Sequence, residues 1–206
     1  MSELAALLKA ARNLDKDALT GIFDLFSPAL YKFVSRFVHD PTLVDGLVAD
    51  VFEQLIEEFA AGRGPRANLR PYLYQSTYRL MVERLQAVHP LASLELVTGM
   101  DQTDNPVRTQ PQNDEPVTAQ VLLSTMNTEL SADQRLVIIL RFLEDFSVKE
   151  TAEIIGKDAN NVKVIQSRGL ARLKKALSLE PDEDPTVLLR FDHYTGLGDA
   201  HSATRR

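Results

Sequence analysis

Apolar residues recur at helical spacing along most of the first 87 residues of this 206-residue chain. Leu4, Leu7, Leu8 and Ala11 fall at i, i+3, i+4 and i+7, which lines one face of a helix. Leu19, Ile22, Phe23 and Phe26 repeat the spacing up to Ser27-Pro28. Proline suits the first turn of a helix, where its missing N–H has no partner to lose, and serine caps such a turn. The pair therefore predicts that the chain restarts there, and the renewed helix carries Leu30, Phe33, Val34 and Phe37. Asp40-Pro41 repeats the signal and predicts a longer helix from Leu43 to about Ala61, with Leu47, Val51, Leu55 and Phe59 on one side. Gly62-Arg-Gly-Pro65 stops it, and Asn68 is placed to cap a fourth helix over 69–87, with apolar contacts from Leu69, Leu73, Leu80 and Leu85. No stretch alternates polar and apolar residues for long enough to make a strand, so the pattern predicts an all-α chain.

The pattern breaks over 89–118. Pro90, Pro106, Pro111 and Pro116 stand among Gln, Asn, Asp and Thr. Such a segment cannot bury enough apolar surface to offset its ordering entropy, so it reads as a flexible acidic linker. Two small helical domains are expected on either side, 1–88 and 119–178, followed by a tail over 179–206 that begins acidic and ends without periodicity.

Residues 131–177 carry the densest signals. Ser131 with Gln134 forms a capping box ahead of Leu136, Ile139, Leu140 and Leu143. Glu144-Asp-Phe146 makes a turn, and Ser147 with Glu150 forms a second box opening a short helix with Val148, Ala152 and Ile155 inward. Gly156 stands where a helix end wants a left-handed residue. Asp158 then caps a longer helix whose core side is Val162, Ile165, Leu170, Leu173 and Leu177. A short capped helix, a turn with glycine and a longer basic helix are the layout of a helix-turn-helix.

Charge sharpens this picture. The net charge of −6 argues against a nucleic-acid binder until its distribution is considered. Residues 131–177 hold nine Lys and Arg against six Asp and Glu, whereas 89–130 hold one against six. Any phosphate-binding surface is local. The chain has no cysteine, which removes disulfides, thiolate metal sites and thiol nucleophiles. Its four histidines are scattered, and neither a phosphate-binding glycine loop nor a nucleophile elbow occurs, so no enzyme, cofactor or metal is expected. The longest apolar runs, such as Leu136–Leu140, fall far short of the roughly 20 residues that span a bilayer. With no export signal either, a cytoplasmic protein without membrane insertion is expected.

Three side-chain groups carry candidate chemistry. The outward positions of the last helix offer Asn160, Asn161, Lys163, Val164, Gln166, Ser167 and Arg168. Amides can pair with adenine, cations with guanine, and valine can touch a thymine methyl. Lys157, Lys163, Arg168 and Arg172 are placed for phosphates. Arg63, Arg66, Arg70, Tyr72, Tyr74, Tyr78 and Arg79 interleave cations with aromatics, as unstacked single-stranded bases require, although some of these tyrosines must face a core. Asp45, Asp50, Glu53, Glu57 and Glu58 give an acidic helix, either a solvated face or a docking surface for a basic partner.

At these residues the chain resembles a known family. The run from Leu130 to Gly156, LSADQRLVIILRFLEDFSVKETAEIIG, is similar to the start of the fourth conserved region of extracytoplasmic-function sigma factors, bacterial RNA polymerase subunits of the sigma-70 family. Asn161 to Leu173, NVKVIQSRGLARL, resembles the recognition helix that follows. Ala29–Pro41, Leu47–Phe52 and Arg70–Tyr74 resemble the second region more loosely. The resemblance implies a region 2-like helical bundle and a region 4-like helix-turn-helix. It also implies a subunit that binds core RNA polymerase, reads the −35 element as duplex through the last helix, and traps the melted −10 element with the N-terminal domain. Asp45, Leu47, Val48, Asp50 and Glu53 would then meet the polymerase clamp, and an anti-sigma protein would hold the subunit inactive.

The chain departs from that pattern in the first block. Gly46-Leu-Val-Ala49 stands where the family has Asp-Leu-Val-Gln, Ile56 replaces an aromatic, and Gln75, Tyr78 and Gln86-Ala87 replace basic residues. These losses leave open a second reading, a sigma-derived regulator that binds DNA or a protein partner without directing initiation. A purely structural helical protein accounts for the composition but not for two capping boxes ahead of a basic helix.

Overall fold

A computed structural model describes residues 3–88, 119–179 and 186–187. Among the described residues there are helices and turns and no strand, so the fold is all-α as the periodicity predicts. The chain divides into two compact units, one N-terminal and one C-terminal. The expected linker at 89–118 and nearly all of the tail lie outside the described residues.

The N-terminal unit holds four helices, α1 (Glu3–Ala11), α2 (Lys16–Ser35), α3 (Pro41–Ala60) and α4 (Leu69–Val88). Leu8 and Ala11 bury one side of α1 against α2. α2 starts at Asp15, whose carboxylate accepts from the Ala18 N–H at 2.9 Å. Its core stripe is Ile22, Phe26, Leu30, Phe33 and Val34, which continues unbroken through Pro28. The restart expected at Ser27-Pro28 does not occur. Pro28 lies on the exposed side of the helix, where water can serve the carbonyl that its missing N–H leaves, and the buried stripe on the other side keeps the helix continuous.

Asp40 caps α3 through the Thr42 N–H at 2.9 Å with Pro41 in the first turn, and Val44, Leu47, Val51, Leu55 and Phe59 are buried along it. Asn68 does not cap α4 as expected. Its φ of 55° is left-handed, whereas a capping residue is extended, and it gives the helix only its backbone carbonyl, to the Tyr72 N–H at 3.3 Å. Leu69, Leu73, Tyr74 and Met81 bring α4 into the common core.

In the C-terminal unit α5 (Ala119–Glu129) is followed by α6 (Ala132–Ile138), α7 (Val148–Ile155) and α8 (Ala159–Ala176). Both capping boxes form with reciprocal bonds, Ser131 with Gln134 and Ser147 with Glu150. α6 and α5 both pack on α8. The helix opened by Ser131 widens after Ile138 into a π-helical turn over Ile139–Leu143, closed by the Glu144 N–H on the Ile139 carbonyl at 2.9 Å. Leu136 to Leu140 are all buried, and so are Leu143 and Phe146. Such a continuous apolar run exceeds one helical stripe, and the wider turn brings more of it inward.

Candidate nucleic-acid interface

The turn between α7 and α8 is set by local chemistry. Gly156 ends α7 at φ 66°, a conformation that costs other residues about 1 kcal/mol. Asp158 then accepts from the N–H groups of Asn160 and Asn161 at 2.9 and 3.0 Å, so α8 begins at a fixed residue in a fixed direction. Val162, Gly169 and Leu173 are buried and Ile165 is half-buried, which fixes the rotation of α8 about its axis. The opposite side presents Asn160, Val164, Ser167 and Ala171, flanked by Asn161, Lys163, Arg168 and Arg172, all exposed. Val164 is 45% exposed, unusual for a branched apolar residue on a well-packed helix.

Gln166 departs from the expected set. It lies one turn before Gly169 and four residues after Val162, on the inward side, and its amide oxygen accepts from Arg141 Nε at 3.1 Å. Arg141 also donates to the Phe146 carbonyl, so Gln166 fastens α8 to the segment before α7 instead of facing outward. Two cations expected on phosphates also have partners within the unit. Lys157 Nζ lies 3.1 Å from Asp133, and Arg172 reaches the Gln134 amide oxygen at 3.4 Å. Arg135 is buried and donates to Asn127 at 2.9 Å, and burial lowers its pKa from the ordinary arginine value.

The second set surrounds the 62–67 break in the N-terminal unit. Arg63, Arg66 and Arg79 are exposed, and Arg70, Tyr72 and Tyr78 are half-buried. Tyr74 is fully buried, its ring 5.0 Å from that of Phe33, and is removed from the stacking set because its side of α4 faces the core. Arg63 forms a two-point pair with Glu58 at 2.9 and 3.0 Å. That hydrogen bond lowers the Glu58 pKa below the ordinary carboxylate value and raises that of Arg63. Arg79 donates to the Gln54 amide oxygen at 2.7 Å.

On α3, Asp45 and Glu53 are exposed, whereas Asp50 is half-buried and paired with Arg84. Leu47 and Val48, expected at the clamp, are core residues at 1% and 5% exposure, because they follow the same stripe as Val44 and Val51. The apolar surface of this unit lies elsewhere. Phe23, Phe52 and Ile56 line an open groove of about 220 Å³ between α2 and α3, with Phe23 and Ile56 over 40% exposed. Among the described residues no group of acidic or histidine side chains could hold a metal, and no helix is long and apolar enough to cross a membrane.

Residues 120–173 match the family model described as sigma-70, region 4. The chain is 24% identical over 188 residues to the ECF RNA polymerase sigma factor SigX of Bacillus subtilis, covering 89% of this chain and 95% of that protein. It is 23% identical over 184 residues to the ECF RNA polymerase sigma factor BldN of Streptomyces coelicolor, covering 88% and 67%. The fold is similar to that of the sigma factor RpoE from Bartonella quintana, solved in complex with the anti-sigma factor NepR, with a TM-score of 0.54 at 23% identity, covering 78% of this chain and 97% of that one. The helix-turn-helix thus matches sigma-70 region 4, and over most of its length the chain is similar to extracytoplasmic-function sigma factors of RNA polymerase.

Proposed function

We propose that this chain binds core RNA polymerase in the cytoplasm and directs initiation at specific promoters, with α8 reading the −35 element as duplex and the 62–67 break with α4 engaging the melted −10 strand. On this reading 1–88 is the region 2-like domain, 89–118 the linker and 119–178 the region 4-like domain. The observation that carries it is the outward stripe of α8, where Asn160, Val164 and Ser167 stand between Lys163 and Arg168 on a helix whose start and rotation are both fixed. Side chains that can bond or touch base edges sit at the centre, and cations that can reach the two backbones sit at the sides.

The clamp contact falls on the exposed acids Asp45 and Glu53 together with the Phe23–Ile56 groove, in place of the buried Leu47 and Val48. A basic partner with apolar side chains suits that surface. An anti-sigma protein, of the kind bound to the Bartonella factor, is proposed as the regulator.

Purified chain plus core polymerase is expected to give run-off transcripts from its own promoter, and Arg168→Ala is expected to reduce them. Failure to be retained on core polymerase in the absence of any anti-sigma protein would favour the second reading, a regulator that does not direct initiation. The exposure of Gly46 and Ala49, which offer no side-chain polar group on α3, is the observation behind that alternative.

A further inference from the structure

We propose that Arg12 is a positioning residue for single-strand recognition, holding the turn between α3 and α4 in its reading conformation. The inference rests on the assignment of that turn to the melted strand. Arg12 follows the last residue of α1, and its Nη1 donates to three successive carbonyls, those of Arg63, Gly64 and Pro65, at 3.0, 3.0 and 3.1 Å. Three adjacent carbonyls converge on one donor only when the backbone curls, and Gly62 and Gly64 supply the curl with φ of 73° and 79°.

Phe59 closes the arrangement. Its ring lies 5.8 Å from the Arg12 guanidinium, and a Cβ on Gly64 would stand 2.9 Å from two of its ring atoms. The turn is thus fixed between a cation and an aromatic ring, and the bonds from the Gly62 and Arg63 N–H groups to the Phe59 and Glu58 carbonyls, at 2.9 and 2.8 Å, continue α3 into it. Arg63 and Arg66 project from this turn, exposed. A cation reads a flexible single strand well only if its own backbone is already ordered, because ordering on binding subtracts from affinity. Arg12 supplies that order from just beyond the end of α1, which carries none of the proposed DNA contacts.

The test uses the full chain bound to core polymerase, with Arg12→Ala and Arg12→Lys, and a labelled random-sequence DNA single strand as probe. Removing a charge-assisted bond to three carbonyls is expected to weaken single-strand binding about tenfold. Amide exchange at Gly62 and Arg63 should quicken by a similar factor, while binding of a duplex probe stays unchanged. Lysine keeps a cation near the carbonyls and should restore part of both effects. Unchanged exchange would overturn the lock itself, and faster exchange with unchanged single-strand affinity would overturn its functional role. If the unsubstituted chain fails to bind the single strand, the DNA assignment of the turn falls, and exchange in the free chain still judges the lock. Should Arg12→Ala not fold, Gly64→Ala disturbs the same turn from the Phe59 side and must reproduce the selective single-strand loss.

Discussion

At Gly169 the absence of a side chain decides how closely two helices approach. A Cβ there would lie 2.8 Å from Cδ1 of the buried Ile138, which brings α8 against α6 at a position where any larger residue meets the core. Glycine inside a helix costs roughly 0.5–1 kcal/mol relative to alanine, so this approach is maintained against local propensity. Gly169→Ala should therefore give little or no stabilisation in the native background, because the clash cancels the gain. In an Ile138→Val background, which deletes the Cδ1 methyl, the same change should stabilise the C-terminal unit by about 1 kcal/mol. Urea unfolding of the four chains measures the coupling. Equal effects of Gly169→Ala in the two backgrounds would show that the approach is not limited by that methyl. The sequence offered no sign of this contact, since a glycine between Arg168 and Leu170 looks like any other break in propensity.

The elements were legible where the signal is local. Both capping boxes, the Asp40-Pro41 start, Gly156 and the Asp158 cap stand where the sequence puts them, because each requires only side chains within three or four residues of the backbone group they serve. Illegible features depend on tertiary context. Pro28 looked like a helix start, and what overrides it is the buried stripe from Ile22 to Val34, which keeps α2 continuous across one missing bond on its wet side. The same dependence misplaced Tyr74 and Gln166, whose polar groups suit a surface until the rotation of their helices is known, whereas Leu47 was legible as a core residue from its spacing and only the family resemblance put it, with Val48, at the clamp. Because Pro28 is tolerated and not required by this account, Pro28→Ala restores an internal bond and should raise the stability of the N-terminal unit by about 1 kcal/mol or more. A lower melting temperature would mean that the proline sets a bend on which the packing of α2 depends.

For the whole molecule the decisive quantity is where its charge lies, since a chain of net charge −6 is repelled by DNA at long range and the proposed promoter binding must draw on a few local cations. Each phosphate neutralised on duplex contributes about 0.9 to the slope of log affinity against log salt, and about 0.7 on a single strand. Arg168→Ala should lower the slope for a −35 duplex by about 0.9 and leave that for a single strand untouched, and Arg66→Ala should do the reverse by about 0.7. The two arginines belong to different compact units, so their free-energy losses on an intact promoter bound by the polymerase complex should add to within about 0.5 kcal/mol in the double variant. Filter binding across a salt series measures slopes and losses in one experiment. A double variant no weaker than the poorer single one would mean that only one unit engages the promoter, and a slope that moves on both probes for either substitution would mean that the cations act through a general field and not through assigned contacts.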